Sequence, residues 1–254
     1  MRIIAGEFRS RLLLTPGDAE TVRPMPDRVK ESLFGLLRGH CEGAAVFDAF
    51  SGTGTLGLEA ISRGAARCVF VERDRHAASL LQRNIDTLGV GDRCEVVVGD
   101  ALGPGALARC PRPVRLAFFD PPYPLVREPL GFRRVMVQLA AVIDRLTDDG
   151  FAVLRTPWPM WVESAADAAT PEPPRRRERR RKERHRDRRR EHIAPDMTED
   201  EEIDEIAEPA APAAGPPKPE RLEVSLALPN AKGPETHVYH GMAIHLYMRA
   251  ATPA

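Results

Sequence analysis

The sequence predicts an α/β protein with a parallel, doubly wound sheet, and three observations support this prediction. Short apolar runs alternate with amphipathic segments through short connections, and Gly64 and Gly89 follow the first two of those segments. Such alternation is typical of parallel strands covered by helices on both faces. Four successive apolar runs also end at or near an acidic residue. Ligands of open α/β sheets bind beyond the carboxyl ends of the strands, so this edge is predicted to hold a site.

The core elements follow one another along the chain. Each predicted strand is a short, mostly apolar run: residues 45–48, 68–72, 95–98, 114–119 and 151–154. Each predicted helix repeats apolar residues at helical spacing: residues 55–63, 76–88 and 132–146. A hairpin of residues 2–8 and 11–15 and a helix over residues 27–38 are predicted ahead of this core. Residues 222–228 and 238–248 are predicted to form a second hairpin that completes one edge of the sheet.

Charge is segregated along the chain, although its net value is zero. Residues 175–191 contain twelve basic and four acidic residues, and residues 196–208 contain eight acidic residues and no basic one. Both blocks lie within a Pro- and Ala-rich insert, residues 164–220, that cannot bury enough apolar area to offset the entropy of ordering. We expect a disordered surface loop there, with a charge-paired helix as the alternative. The remainder divides into an N-terminal unit, residues 1–40, and one domain formed by residues 41–163 and 221–254.

Composition excludes several classes of protein. No apolar run approaches the roughly 18 residues of a membrane span, and the N-terminus lacks the apolar stretch of a secretory signal. The four cysteines contain no C-x-x-C pair, which argues against a zinc ribbon or a disulfide scaffold. We therefore expect a cytoplasmic, monomeric protein with reduced thiols, no membrane contact and no metal ion.

A glycine-rich turn follows the first strand of the sheet. Gly52, Gly54 and Gly57 match G-x-G-x-x-G, for which a nicotinamide or flavin dinucleotide is the obvious ligand. Asp48 argues against that ligand, because its carboxylate would lie where a pyrophosphate must rest. Two unit charges about 4 Å apart repel by roughly 4 kcal/mol at a surface-like dielectric. The same carboxylate attracts a cationic amine. S-adenosylmethionine carries an α-ammonium and a sulfonium but no phosphate, and we predict it as the cofactor.

The acidic strand ends are predicted to supply further cofactor contacts. Glu72 can accept the ribose hydroxyls, the usual role of an acidic residue at the second strand of such sheets. Asp100 can accept from the adenine amine, with Ala101 offering a backbone N–H. One Asp after a strand is usually a helix cap, but four acidic ends along one edge favour a binding site. The predicted cofactor-binding residues are Asp48, Phe50, Ser51, Gly52, Thr53, Gly54, Gly57, Glu72, Arg73, Asp100 and Ala101.

The fourth strand ends in Asp120-Pro121-Pro122-Tyr123, the most specific short signal in the chain. The residue before a proline is held extended and each proline fixes its own φ, so the Asp120 side chain and the Pro121 carbonyl are held close together. Two fixed acceptors suit an exocyclic NH₂ group, and Tyr123 offers a flat face for stacking a base. We predict that these four residues are catalytic; a plain turn with a packed tyrosine is the alternative.

These motifs together resemble a known family. DAFSGTGTLGLEAISRGA, FVERD and DPPY look like the S-adenosylmethionine-dependent amino-methyltransferases. RIIAGEFRS and RPMPDRVKESLF look like one branch, the bacterial 16S ribosomal RNA guanine-N2 methyltransferases of the RsmD type. The resemblance covers residues 1–154 and, more loosely, the closing VYHGMAIHLYMR. Ser10 and Met25 depart from the family pattern, and the long insert is not a family feature.

The resemblance implies a Rossmann-like class I methyltransferase fold, with a seven-stranded, mostly parallel sheet whose last strand is antiparallel. It also implies methylation of one guanine in small-subunit ribosomal RNA. Basic residues of the N-terminal unit are predicted to contact RNA phosphates, although solvated surface charge explains them almost as well. These predicted RNA contacts are Arg2, Arg9, Arg11, Arg23 and Arg28.

Two other classes of protein stay open. A DNA or RNA amino-methyltransferase that modifies adenine N6 would use the same glycine turn and the same tetrapeptide. Such DNA enzymes usually carry a target-recognition domain, and no predicted folded stretch is long enough to form one. A non-enzymatic RNA-binding protein of ribosome assembly would need only the basic block, and the acidic strand ends argue against it.

Overall fold

Our computed structural model describes residues 1–16, 25–164 and 220–251, which contain nine strands, six α-helices and one short 3-10 helix, Gly91–Arg93. The strands are β1 (Ala45–Asp48), β2 (Arg67–Glu72), β3 (Cys94–Val98), β4 (Val114–Phe119), β5 (Leu146–Pro157), β6 (Trp161–Glu163), β7 (Arg221–Glu223), β8 (Ala231–Tyr239) and β9 (Met242–Arg249). The helices are α1 (Asp27–Leu36), α2 (Thr55–Ser62), α3 (Arg75–Leu88), α4 (Pro104–Arg109), α5 (Tyr123–Arg127) and α6 (Pro129–Ile143).

Seven of these strands form one sheet in the order β3-β2-β1-β4-β5-β9-β8. β1 to β5 pair in parallel, and β9 pairs antiparallel with both β5 and β8. The strand order changes direction at β1, whose neighbours are β2 and β4, and ligands of such sheets bind at that point. The prediction of a Rossmann-like, seven-stranded, mostly parallel sheet with an antiparallel final strand is therefore confirmed.

Helices cover the sheet on both faces and divide its core into two layers. Adjacent side chains of a strand point to opposite faces, so Phe118 and Phe119 of β4 are both buried but in different layers. Phe118 packs in the layer of Phe70, and Phe119 packs in the layer of Phe47. The helix ends follow local rules as well, since Asp74 accepts the Ala77 N–H at 2.7 Å and so caps the start of α3.

The C-terminal hairpin differs from the prediction. Residues 222–228 do not form a strand of the main sheet; β7 covers only their beginning and pairs with β6 in a separate ribbon. The partner of β9 is instead β8, which the sequence analysis assigned mostly to a connection. β8 is an edge strand with mostly exposed or half-exposed residues, so it lacks the apolar run that predicts a strand. Pro234 is accommodated there because the register shifts between Lys232 and Glu235.

The predicted N-terminal hairpin is short: one antiparallel bridge joins Arg2 to Leu12, and the N–H groups of Ile3 and Leu13 donate across it to Arg11 and Met1 at 3.0 and 2.9 Å. The backbone N–H groups of Ile4 and Ala5 donate instead to the Glu59 carboxylate of α2, at 2.7 and 3.0 Å. This segment therefore packs against α2 and cannot continue a strand ladder. Smaller differences concern element ends: the helix predicted over residues 27–38 ends at residue 36, and the helix predicted over residues 132–146 spans residues 129–143.

The two ends of the predicted insert lie side by side. The Ser164 N–H donates to the Glu220 carbonyl at 2.9 Å, and the antiparallel pairing of β6 with β7 continues directly from there. The chain therefore leaves the domain after Ser164 and re-enters it at Glu220 at one place. Residues 165–219, with the basic and acidic blocks, lie outside the described residues.

Candidate active site

Four acidic side chains meet along one edge of the sheet. Asp48 and Glu72 end β1 and β2, Asp120 directly follows β4, and Asp100 follows β3 by two residues. Because β3, β2, β1 and β4 are parallel neighbours, their carboxyl ends share this edge. We call these four residues the acidic rim. Glu72 and Asp120 lie on either side of β1, where the strand order changes direction and a ligand is expected.

The glycine turn is shaped to bring backbone close to this rim. Gly52 and Gly54 have φ values of +53° and +90°, in the left-handed region that favours glycine. Gly57 lies in α2 against the sheet, where an added Cβ would lie 2.7 Å from Cys68 Sγ and closer still to the Phe70 ring. The Ser51 N–H donates to the carbonyl of the β2 residue Val71 at 3.0 Å. The turn is therefore fixed both to its own helix and to the neighbouring strand.

Asp48 is the most buried member of the acidic rim, with 1% of its surface exposed. Its Oδ2 atom accepts the Gly57 N–H at 2.9 Å, and its Oδ1 atom is buried without a hydrogen-bond partner among the described residues. Burial raises the pKa of Asp48 to about 7; the Gly57 N–H opposes the rise, and the charges of Asp120 and Glu72 add to it. The site therefore lacks positive charge at this point, and its chemistry suits a cationic ligand.

Glu72 ties the glycine turn to β2. Its two carboxylate oxygens accept the Gly52 N–H at 2.8 Å and the Asp74 N–H at 2.7 Å. Each carboxylate oxygen can accept a second hydrogen bond, so Glu72 keeps acceptor capacity towards the ligand side.

Asp100 is more exposed than Asp48 and already has two partners within the protein. It accepts the Leu102 N–H at 3.0 Å and pairs with Arg134 of α6 at 2.8 Å. Burial alone would raise the pKa of Asp100, but the Leu102 N–H and the charges of Arg134 and Arg73 outweigh it, so the pKa lies below its usual range. A ligand amine at Asp100 would have to share this carboxylate with Arg134.

The Asp120–Tyr123 tetrapeptide joins β4 to α5, and a side chain from the next strand holds it. Asp120 Oδ1 is paired with the Nε atom of Arg155 in β5. The same guanidinium lies over the Tyr123 ring, with its central carbon 5.5 Å from the ring centroid. Pro121 is buried and Pro122 is exposed. Burial raises the pKa of Asp120, and the charge and hydrogen bond of Arg155 oppose that rise.

The remaining predicted cofactor-binding residues line the same strand ends. Phe50 is half-buried and meets Phe119 edge to face, with 6.2 Å between ring centroids. Thr53 and Ala101 are buried, and the Ala101 carbonyl accepts from Gln138 at 2.8 Å. Arg73 is exposed and follows Glu72 directly.

Comparison with known proteins adds an independent line of evidence. The family model described as "Conserved hypothetical protein 95" matches residues 1–164. Ribosomal RNA small subunit methyltransferase D of Escherichia coli is 36% identical over 174 residues, which cover 68% of this chain and 79% of that protein. The candidate rRNA methyltransferase YlbH of Bacillus subtilis is 34% identical over 154 residues, covering 60% of this chain and 80% of that protein. This chain belongs to the methyltransferase D family.

Solved structures agree with this assignment. The candidate methyltransferase yhhF of Escherichia coli superposes with a TM-score of 0.60 and 26% sequence identity, covering 99% of each chain. A candidate methylase of Haemophilus influenzae, at 21% identity and a TM-score of 0.57, covers 98% of each chain and shares the fold. The acidic rim and the glycine turn therefore lie on a methyltransferase fold.

Glu59 lies in α2, within the LGLEAISRGA motif that resembles the methyltransferase D family. Glu59 is fully buried and lies 3.5 Å from Lys30 of α1 and 2.8 Å from Arg63, in addition to its bonds with the N-terminal backbone. The motif thus anchors the N-terminal unit to the domain. Four of the predicted RNA-contacting arginines are exposed, one of them, Arg2, in an ion pair with Asp27. The four are Arg2, Arg9, Arg11 and Arg28; Arg23 lies outside the described residues.

Sequence analysis missed two residues that shape the site. Arg155 is the charged partner of Asp120, and its only sequence signal is a basic residue directly after a buried apolar run. Asn84 of α3 donates to the carbonyls of Thr53 and Leu14 at 3.0 and 3.2 Å, and accepts the Leu14 N–H at 2.7 Å. It therefore connects the N-terminal unit to the glycine turn, a contact that no spacing in the sequence indicates.

Two kinds of feature are missing from the part of the chain that the structure describes. No group of three or more His, Cys, Asp or Glu residues there could hold a metal ion. No helix there is long and apolar enough to cross a membrane. One of the histidines, His245, is fully buried between the hydroxyls of Thr156 and Thr236, each 2.9 Å from a ring nitrogen.

Proposed function

We propose that the protein transfers a methyl group from S-adenosylmethionine to the exocyclic N2 amine of a guanine in 16S ribosomal RNA of the small subunit. One observation carries the proposal: a buried, unpaired Asp48 oxygen beside the glycine turn adjoins the Asp120–Tyr123 tetrapeptide at the end of the neighbouring strand. The Asp48 oxygen suits a cationic cofactor, and the Asp120–Tyr123 tetrapeptide suits an amine substrate. Membership of the methyltransferase D family supports ribosomal RNA as the methyl acceptor.

The residues around the glycine turn fit the chemistry of S-adenosylmethionine. The unpaired Asp48 oxygen can accept from the α-ammonium group, and Glu72 keeps capacity for the ribose hydroxyls. The left-handed Gly52 and Gly54 leave the backbone open to the ligand. A phosphate-bearing dinucleotide fits less well, because its pyrophosphate would meet the buried carboxylate of Asp48. Asp100 and Ala101 are the candidates for the adenine.

The tetrapeptide can activate an amine. S-adenosylmethionine supplies an electrophilic methyl group on a sulfonium. Guanine N2 is a poor nucleophile because its lone pair is delocalised into the ring. Hydrogen bonds from this amine to Asp120 and to the Pro121 carbonyl would localise the lone pair and stabilise the positive charge that develops on nitrogen. As the N–C bond forms, the electron pair of the breaking C–S bond stays on sulfur, and one N2 proton leaves for Asp120 or water. Tyr123 would stack on the base and fix its plane.

The substrate base must reach this edge unpaired or flipped out of a helix. The exposed arginines of the N-terminal unit would then contact phosphates around the target, with Arg23 as a further candidate. We propose a monomeric, cytoplasmic protein that acts on ribosomal RNA or on an assembling small subunit. Neither a metal nor a membrane is part of this proposal.

Product analysis tests the proposal most directly. Small-subunit particles from a deletion strain are incubated with the protein and with S-adenosylmethionine labelled in its methyl group, and the digested nucleosides are identified by mass spectrometry. We expect the label in N2-methylguanosine with the wild-type protein, and at least about 100-fold slower labelling with Asp120→Asn. Label in N6-methyladenosine would assign the protein to the adenine-modifying class. Failure to bind S-adenosylmethionine in calorimetry would favour the non-enzymatic assembly protein.

A further inference from the structure

Arg155 belongs to none of the motifs that define the acidic rim, yet it reaches the reacting group. Phe119 of β4 pairs with Leu154 of β5. The next residue along each strand is therefore Asp120 in one case and Arg155 in the other, side by side on the same face of the sheet. Only 9% of the Arg155 side chain and 18% of the Asp120 side chain are exposed. This ion pair is thus shielded from solvent. Charge interactions are stronger in such a protected place than in water.

The guanidinium contacts both functional ends of the tetrapeptide. Its Nε atom is paired with Oδ1 of Asp120, and its plane lies over the Tyr123 ring. Its Nη1 atom is buried and has no hydrogen-bond partner among the described residues. In the part of the chain that the structure describes, Asp120 is the only carboxylate within ion-pair distance of Arg155. The position of this cation is therefore coupled to the two residues that would hold the substrate base.

We propose that Arg155 is a positioning residue for methyl transfer, which holds one oxygen of Asp120 so that the other oxygen alone is presented to the substrate amine. This inference rests on the proposed function. It adds that the pair carries no net charge and therefore presents a neutral surface to a neutral base. An isolated carboxylate in the same place would carry an uncompensated negative charge beside Asp48.

Removing the cation would change the charge state of Asp120. The charged groups around this carboxylate are Arg155 from β5, which pairs with it, and Asp48 from β1, with Glu72 of β2 beyond it. Only Arg155 among them favours the ionised form. Burial raises the pKa of Asp120 and Arg155 lowers it, so loss of Arg155 leaves the effect of burial unopposed. A protonated Asp120 carries no charge, so it accepts from the amine more weakly than the carboxylate does.

The pair also determines where the substrate proton goes. A carboxylate that already accepts from a guanidinium is a weaker base than a free one. When the N–C bond forms and the C–S bond breaks, the amine must lose one proton. With Arg155 in place, Asp120 serves as an acceptor of hydrogen bonds, and the proton passes on to water. Methyl transfer then requires an ionised Asp120 at the start but leaves it ionised at the end.

Titration of the Asp120 carboxyl tests the inference without any RNA. The full chain is labelled with ¹³C at its Asp carboxyl groups, the Asp120 signal is identified by its loss in Asp120→Asn, and its titration is followed by NMR. We expect Arg155→Met to raise the pH of the Asp120 titration by at least about one unit, a tenfold change in proton affinity. Arg155→Lys should keep it close to wild type. Arg115→Met is the matched control, because Arg115 pairs with Asp149 at the other end of β4 and β5.

Methyl transfer supplies the second readout. In single-turnover assays, Arg155→Met should lose at least about tenfold in rate near pH 7 and recover part of it towards about pH 9, whereas Arg155→Lys should keep the wild-type pH profile. In a protein that already carries Asp120→Asn, adding Arg155→Met should lower the methyl-transfer rate by less than about twofold, because Arg155 acts through Asp120. This double variant removes both charges of the pair, so it also serves if Arg155→Met alone does not fold.

The outcomes separate the two proposals. An unchanged Asp120 titration in Arg155→Met, or a full additional rate loss in the double variant, would overturn the positioning role of Arg155. A wild-type protein that methylates no guanine, while Arg155→Met still shifts the Asp120 titration, would overturn the proposed function and leave the ion-pair inference standing.

Discussion

The two halves of the acidic rim hold their carboxylates in different ways. In the half that we propose for the cofactor, on β1, β2 and β3, the carboxylates of Asp48, Glu72 and Asp100 each accept a backbone N–H from a residue no more than twenty positions away. In the substrate half, on β4 and β5, Asp120 is held by the side chain of Arg155, thirty-five positions away. Asp48 and Glu72 are thus held by local backbone, whereas Asp120 is held by a contact between neighbouring strands; Asp100 combines the two, because it also pairs with Arg134 of α6.

This difference has an electrostatic consequence. Backbone N–H groups stabilise a carboxylate without neutralising it, so the cofactor half keeps net negative charge around Asp48 and Glu72. The guanidinium of Arg155 does neutralise Asp120, so the substrate half is a closed ion pair. A cation is therefore favoured in the first half and a neutral base in the second. Charge alone can direct the cofactor and the substrate to their own sides of the rim.

The largest effect should separate the halves by chemistry. Asp120→Asn keeps the shape of the side chain but removes the charged acceptor, so methyl transfer should fall by at least about 100-fold. Affinity for S-adenosylmethionine should change by less than about threefold, because we propose that Asp120 contacts the amine substrate and not the cofactor. Single-turnover rates and calorimetry on the same preparation measure both quantities. A large loss of cofactor affinity would show that Asp120 belongs to the cofactor half.

The next effect concerns the cofactor half. Glu72→Ala removes hydrogen bonds to a charged acceptor worth about 1.5–3 kcal/mol. Since each 1.4 kcal/mol is about tenfold, S-adenosylmethionine affinity should fall by roughly ten- to a hundredfold. Glu95→Ala on the neighbouring strand is the control, because Glu95 pairs with the exposed Arg109 and lies away from the rim. Wild-type affinity in Glu72→Ala, measured by calorimetry, would contradict the assigned role of Glu72.

A smaller effect follows from the raised pKa of Asp48, about 7. Pairing with a cationic amine requires the ionised form, so affinity for S-adenosylmethionine should rise about tenfold from about pH 6 to about pH 8. The stability of the unliganded protein should change in the opposite sense. The folded pKa lies above the unfolded value of 3.8, so the contribution of Asp48 is fully present below about pH 4 and is lost as the pH rises through 7.

Calorimetry between about pH 6 and about pH 8 measures the change in affinity for S-adenosylmethionine. Thermal unfolding between about pH 4 and about pH 8 measures the change in stability. Asp48→Asn is the control, because it removes the titrating group and should flatten both curves. A wild-type affinity that does not vary between about pH 6 and about pH 8 would mean that Asp48 is not the partner of the cationic group.

The same comparison explains how much could be predicted from the sequence. The cofactor half is encoded within short stretches, so the glycine turn and the strand ends at Asp48 and Glu72 were predictable from spacing and strand alternation. The Asp120–Tyr123 tetrapeptide was predictable for the same reason. Arg155 was not, because its role depends on the register between β4 and β5, which the sequence pattern does not specify. The edge strand β8 was missed because an exposed edge needs no apolar run.

The smallest effect should come from the insert between β6 and β7. Replacing residues 165–219 with a Gly/Ser linker of about five residues should leave thermal unfolding and S-adenosylmethionine affinity unchanged. The reason is geometric: Ser164 and Glu220 are joined by a 2.9 Å backbone hydrogen bond, and paired antiparallel strands need a loop of only about two to five residues. Closing a long loop also costs little more than closing a short one, by about 0.6 kcal/mol per doubling of length.

RNA affinity is the one property that this replacement should change, and mainly at low salt. The twelve basic residues within residues 175–191 offer phosphate contacts that counterions screen. A full-length variant with those twelve residues changed to Gln is the matched control, because it keeps the insert but loses its positive charge. Both variants should lose the same salt-dependent part of RNA binding in filter assays. Loss of soluble protein, or weakened cofactor binding, after the replacement would instead show that the insert is part of the folded domain.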